Sequence, residues 1–175
     1  MEFNIKRSIE ILSSTPGVLE QWLSGLSDDW LHANEGENTW SPHVVVGHLI
    51  YADETNWLPR AMKTLSDVDN RFVPFNRQGQ FDLYQDKSIK ELLTKFAAVR
   101  KNSLKELSSI ELNEKTLSRK GIHPDFGEVT LSQLLSTWTV HDLDHINQIS
   151  RVMAKQYDGA VGPWKSFLGI LKRGI

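Results

Sequence analysis

Apolar residues recur along most of this chain at intervals of three and four, the spacing of one face of an α-helix, and four long segments carry the pattern. The first covers residues 4–26, with Ile5, Ile9 and Leu12 followed by Val18, Leu19, Trp22, Leu23 and Leu26. Inside it, Thr15-Pro16 has the form of an N-cap followed by a proline at the first helical position, so the segment is either one kinked helix or two pieces. The second opens on the same signal at Ser41-Pro42 and runs to about Leu65, with a kink or restart expected at Pro59. Ser88-Ile89-Lys90-Glu91 is a capping box that opens the third, whose Ile89, Leu92, Phe96, Val99 and Leu107 share one side. Thr130-Leu131-Ser132-Gln133 opens the fourth in the same way, and it continues to about Lys155. Pro163 is expected to start a short fifth helix that holds Trp164, Phe167, Leu168 and Leu171.

The connections bear on topology. Some twenty residues, Ser66 to Lys87, separate the second and third helices. A connection of that length crosses a bundle from end to end, so those two helices are expected to run parallel. The stretch from Leu112 to Val129 is also long, with Gly121, Pro124 and Gly127 setting turns. No repeat, low-complexity tract or linker interrupts the pattern. The expectation is a single all-α domain over residues 1–175: a four-helix bundle with a long crossover between helices two and three and a short C-terminal helix.

Composition narrows the partners. A chain of 175 residues buries a core without staples, and a net charge of -2 with no long basic run argues against nucleic acid as the main partner. The longest mostly apolar run, Val44 to Ala52, is too short to span a bilayer and contains His48. Residues 1–12 lack the continuous apolar block of a signal peptide, so a cytoplasmic protein with no membrane partner is expected. With no cysteine, any metal site must be built from imidazole and oxygen ligands.

Imidazoles stand where the pattern calls for apolar side chains. At about 100° per residue, Leu134, Trp138, His141, His145, Gln148 and Val152 share one stripe of the fourth helix. His141 and His145 are one turn apart, close enough to grip a single ion. On the second helix the inward positions are Val44, His48, Tyr51, Ala52 and Thr55, which sends His48 to the core as well. Buried unpaired imidazoles are costly, and a divalent metal ion shared by all three removes the cost. The alternative for each is a hydrogen-bonded core histidine. For His32, His43 and His123 a solvated or turn-stabilising role is expected, although His123-Pro124 is placed to fold over the site mouth. Asp142 and Asp144 flank the stripe, either as partners that orient an imidazole or as solvated acids. The six tryptophans are read as packing residues.

These segments resemble the DinB-like superfamily of helical-bundle metalloenzymes, which includes the YfiT-type proteins. The resemblance covers nearly the whole chain. It is carried by Thr15-Pro16 through Leu26, by Trp40-Ser41-Pro42 with Gly47-His48-Leu49 and Trp57-Leu58-Pro59-Arg60, by Thr130 to Gln148, and by Tyr157 to Trp164. It implies that His48, His141 and His145 bind a divalent metal, zinc or nickel first and iron or copper next. It further implies a homodimer and a small-molecule substrate, and transfer of a low-molecular-weight thiol such as bacillithiol or mycothiol. Two other readings stand beside thiol transfer: a metal-dependent hydrolase, and a non-catalytic bundle that binds a ligand. A general base at the metal would favour hydrolysis, with Asp144, Thr55 and Gln148 nearest. A basic pocket would favour thiol transfer, with Arg60 or Arg151 to hold carboxylates, unless those arginines serve in surface salt bridges.

Overall fold

The computed structural model describes residues 3–172. The first apolar segment forms one continuous helix, α1 (Ile5–Leu23), capped by the Asn4 side chain and followed by a single turn, α2 (Asp28–Leu31). Pro16 therefore lies inside a helix, and Thr15 is no cap: its hydroxyl bonds back to the Ile11 carbonyl. Ser41 caps α3 (Pro42–Ala52), as its Ser-Pro signal predicts. The helix then widens into one π-helical turn, Asp53–Trp57, and resumes as α4 (Leu58–Leu65), with Pro59 in the first turn where its missing N–H costs nothing. The crossover carries a short helix, α5 (Gly79–Tyr84), and the two capping boxes open α6 (Ile89–Ser108) and, later, α8 (Leu131–Lys155).

Two segments depart from the expected pattern. Between α6 and α8 the chain forms α7 (Glu114–Leu117) and a hairpin of β1 (Lys120–His123) and β2 (Gly127–Thr130), paired from Lys120↔Thr130 to His123↔Gly127. Backbone bonds between Ile122 and both Asn70 and Phe72 tie the crossover to this hairpin. A side chain on Gly121 would strike the Phe72 ring, with Cβ 2.4 Å from it, which accounts for glycine there. The C-terminal segment is two 3₁₀ turns, Gly162–Phe167 and Gly169–Leu171, in place of a short α-helix. Trp164 and Phe167 are 69% and 86% exposed, so the apolar spacing there has no core to face, and only Leu171 is buried.

The long helices pack as a four-helix bundle, and contacts along them give their directions. His43 meets Lys87, Asp53 meets Arg100, and Met62 and Glu106 line one surface cleft, so α3–α4 and α6 run parallel, as the crossover length predicts. His48 faces His141 and Trp57 faces Trp138, so α8 runs antiparallel to α3. The core divides into two apolar clusters. One gathers Leu12, Leu104, Leu131 and Trp138, the other Leu19, Val46, Phe96 and Ile149. Between them lies a buried ionic triad: Arg100 donates to Asp53 at 2.6 Å and to Asp142 at 2.5 Å. No helix among the described residues is long and apolar enough to cross a membrane.

Candidate metal centre

Two helices bring three imidazoles to one point. His48 Nε2 and His145 Nε2 each lie 3.1 Å from His141 Nε2, and the three nitrogens all fall within 4.8 Å of one another. Helical spacing puts His141 and His145 on one face of α8, and the antiparallel packing of α3 sets His48 opposite them. The structure thus joins all three residues predicted from the sequence.

The electronic state of the cluster follows from its surroundings. Burial, reinforced by the neighbouring imidazole of His145, holds His48 down to about 3 and His141 down to about 2. Burial lowers His145 as well. All three rings are therefore neutral at pH 7 and present lone pairs rather than charges. A convergent set of neutral nitrogens fits a divalent cation about 2.0–2.3 Å from each, and no carboxylate among the described residues joins the set.

The surrounding side chains orient the rings. His145 Nδ1 lies 2.7 Å from Gln148 Oε1, which fixes that nitrogen as the donor and leaves Nε2 free toward the cluster. Gln148 is thus a support for His145 and not a ligand. Nδ1 of His48 and of His141 is buried without a hydrogen-bond partner. Gln80, whose amide is equally unpartnered, lies near enough to His48 to affect its protonation. Trp40 stacks on His145 with centroids 6.2 Å apart and packs on His48 at 4.8 Å, while Phe75 meets His48 edge-on at 5.8 Å.

Other sequence candidates lie elsewhere. Asp142 touches no imidazole, because both its oxygens are held by Arg100, and Asp144 is exposed. Thr55, expected to face inward, is exposed with its hydroxyl on the Tyr51 carbonyl, since it lies within the π turn. His43 is buried against the Lys87 carbonyl at 2.6 Å, and His32 stacks on it from outside, both in structural roles. His123 stacks on Phe126 in the hairpin and stays out of the cluster. Arg151 is committed to Glu35, whereas Arg60 has no acidic partner among the described residues. Gln80, Trp40 and the Asp53–Arg100–Asp142 triad are supports that the sequence reading missed. Arg100 did leave a signal, a charge on the buried stripe between Phe96 and Leu107.

A model of the DinB superfamily matches residues 11–149 of the chain. YfiT from Bacillus subtilis, described as a probable metal-dependent hydrolase with an unusual four-helix bundle topology, is similar over 86% of this chain and 86% of its own, with a TM-score of 0.72 and 19% identity. TT2238, described as a four-helix bundle protein, is similar over 84% of this chain and 98% of its own, with a TM-score of 0.59 and 18% identity. At these identities both likenesses concern the fold. Among curated proteins, none matches the sequence.

Proposed function

Since the chain belongs to the DinB superfamily, we propose that His48, His141 and His145 hold one divalent metal ion and that the protein transfers a low-molecular-weight thiol to a small electrophile. A divalent ion with three imidazole ligands keeps a coordination position open and holds a thiol ionised at neutral pH.

The distribution of charge around the cluster carries the transferase reading. Asp142 is bound to Arg100, Asp144 faces solvent, and Glu54 is bound to Lys95 and Tyr84. Among the described residues no carboxylate joins the rings to act as a general base. Charges of both signs reach the rings: Arg77 acts on His48 and Arg100 on His141, while Asp144 and Asp142 act on His145, and Arg60 lines the neighbouring cleft. An ionised thiol needs no protein base, and guanidinium groups suit its carboxylates. In this scheme Gln148 holds the His145 ring in one tautomer, and Trp40 and Phe75 exclude water from two sides of the cluster.

Metal-dependent hydrolysis is the second reading, favoured by the description of YfiT, which shares the fold. The deciding experiment screens metal-loaded protein for thiol consumption against a panel of electrophiles, with ester and amide hydrolysis run alongside. Thiol loss that His141→Ala abolishes, with metal retention falling at least severalfold, supports transfer. Hydrolysis without thiol consumption moves the assignment to the second reading. Neither activity at full metal occupancy leaves a non-catalytic ligand-binding bundle.

A further inference from the structure

A cleft of about 180 Å³ lies next to the imidazole cluster. Trp57 is the shared wall: it lines the cleft and also meets His141 edge-on, with centroids 4.9 Å apart. Thr137 lines the same cleft one helical turn before His141 on α8. The Trp57 indole is therefore what separates a molecule seated here from the His141 ring.

Arg60 reaches into this cleft from α4, although the residue is only 8% exposed. Its guanidinium lies 5.2 Å above the Phe72 ring and donates to the Val73 carbonyl at 3.0 Å. Among the described residues no carboxylate pairs with it. The acid whose field reaches it is Asp125, whose side chain is 76% exposed at the tip of the hairpin. A charge so far removed from water is costly unless an anion compensates it. Of the lining residues, Trp57 also holds a buried indole N–H with no acceptor. His123, opposite, is held neutral by burial and by Arg60 itself, so it adds no second positive charge.

We propose that this cleft binds the carboxylate of a small substrate, with Arg60 as the anion-binding residue and Phe72 and Phe126 against the substrate's apolar body. One guanidinium suits a monoanion. A phosphate dianion would leave a charge uncompensated in the same apolar walls. The subsite rests on the metal-site reading only for the chemistry at the imidazole end. Binding itself needs Arg60 and the cleft.

The test titrates the 175-residue chain with 3-phenylpropionate and with its neutral amide, 3-phenylpropanamide, following backbone amide shifts by NMR. The protein is used as purified and again after chelation of metal. Millimolar, saturable shifts are expected around Asn56–Arg60 and His123–Val129, about tenfold tighter for the acid than for the amide, and equal in the two preparations. Arg60→Met should weaken the acid about tenfold while leaving the amide unchanged. Equal affinity of wild type for acid and amide, no saturable shift at tens of millimolar, or acid binding that vanishes with the metal each overturns the subsite. Failure to retain metal or to turn over thiol overturns the preceding proposal and leaves this one standing.

Discussion

Arg100 donates to the Leu12 carbonyl at 2.8 Å, the acceptor that Pro16, lacking an N–H one turn on, leaves without its helical partner. A proline inside α1 is thus made tolerable by a side chain from α6. The same guanidinium holds Asp53 and Asp142, and the Trp138 indole donates to Asp53 as well, so a single buried cation joins α1, the π turn and α8.

Removing that cation leaves two buried carboxylates uncompensated. Arg100→Met should cost about 3–5 kcal/mol in urea denaturation, and Arg100→Met combined with Asp53→Leu and Asp142→Leu should recover most of it. If the triple variant is no better than the single one, the triad's worth lies in shape and not in charge.

Gln148 should matter to the metal without touching it. Gln148→Leu removes the acceptor that fixes His145, and about 10–100-fold weaker metal retention is expected in competition with a chelator. Unchanged circular dichroism would show the fold intact, and unchanged retention would remove Gln148 from the site.

In metal-free protein, acid should destabilise the fold. His48 and His141 sit at about 3 and about 2 when folded, against about 6.5 when unfolded, so the unfolded chain binds more protons across that window. Stability therefore falls as pH drops below about 6.5, by about 1.4 kcal/mol per pH unit for each histidine. Asp53 acts in the opposite sense: burial raises it from 3.8 to about 6, and the stability it contributes is lost as pH rises through that range. Asp53 thus offsets about one histidine's worth of this slope between pH 4 and 6, while His145, also lowered by burial, adds to it. Melting curves across pH should show a positive slope, and His48→Gln should reduce it.

Gly79 packs against Tyr51, and a Cβ there would lie 2.2 Å from the phenol oxygen. Gly79→Ala should push α5 off α3 and destabilise the protein by about 1–3 kcal/mol, read from the shift in its urea midpoint. Tyr51→Ala in the same chain should relieve part of that loss.

Legibility followed the range of each signal. Ser41, Ser88 and Thr130 caps are local, and each helix starts where its cap predicts. The convergence of His141 and His145 is one turn of helix, also local. His48 was found because an imidazole sat among apolar neighbours. Thr15-Pro16 carries a cap's sequence but sits mid-helix, because the partner that permits it, Arg100, is 88 residues away. The hairpin escaped because its strands are four residues long and half-polar, and they are held by pairing with Asn70–Phe72 more than by any alternation of their own. Gln80 reaches His48 through a crossover whose path no periodicity encodes.

The π turn at Asp53–Trp57 sets the phase of everything after it. An unbroken α-helix counted from His48 returns to the same side near positions 52, 55 and 59, which would aim Thr55 and Pro59 at the bundle interior. A π turn takes up about one residue more than an α turn, and that residue rotates the rest of the helix by about 100°. The interior is then read one position late: Asn56 is buried where Thr55 was due, and Arg60 where Pro59 was due. Trp57 comes to rest on His141 by the same offset. One widened turn thus keeps the imidazole of α3 and the guanidinium of α4 on a common side of a helix whose sequence, counted evenly, would have parted them.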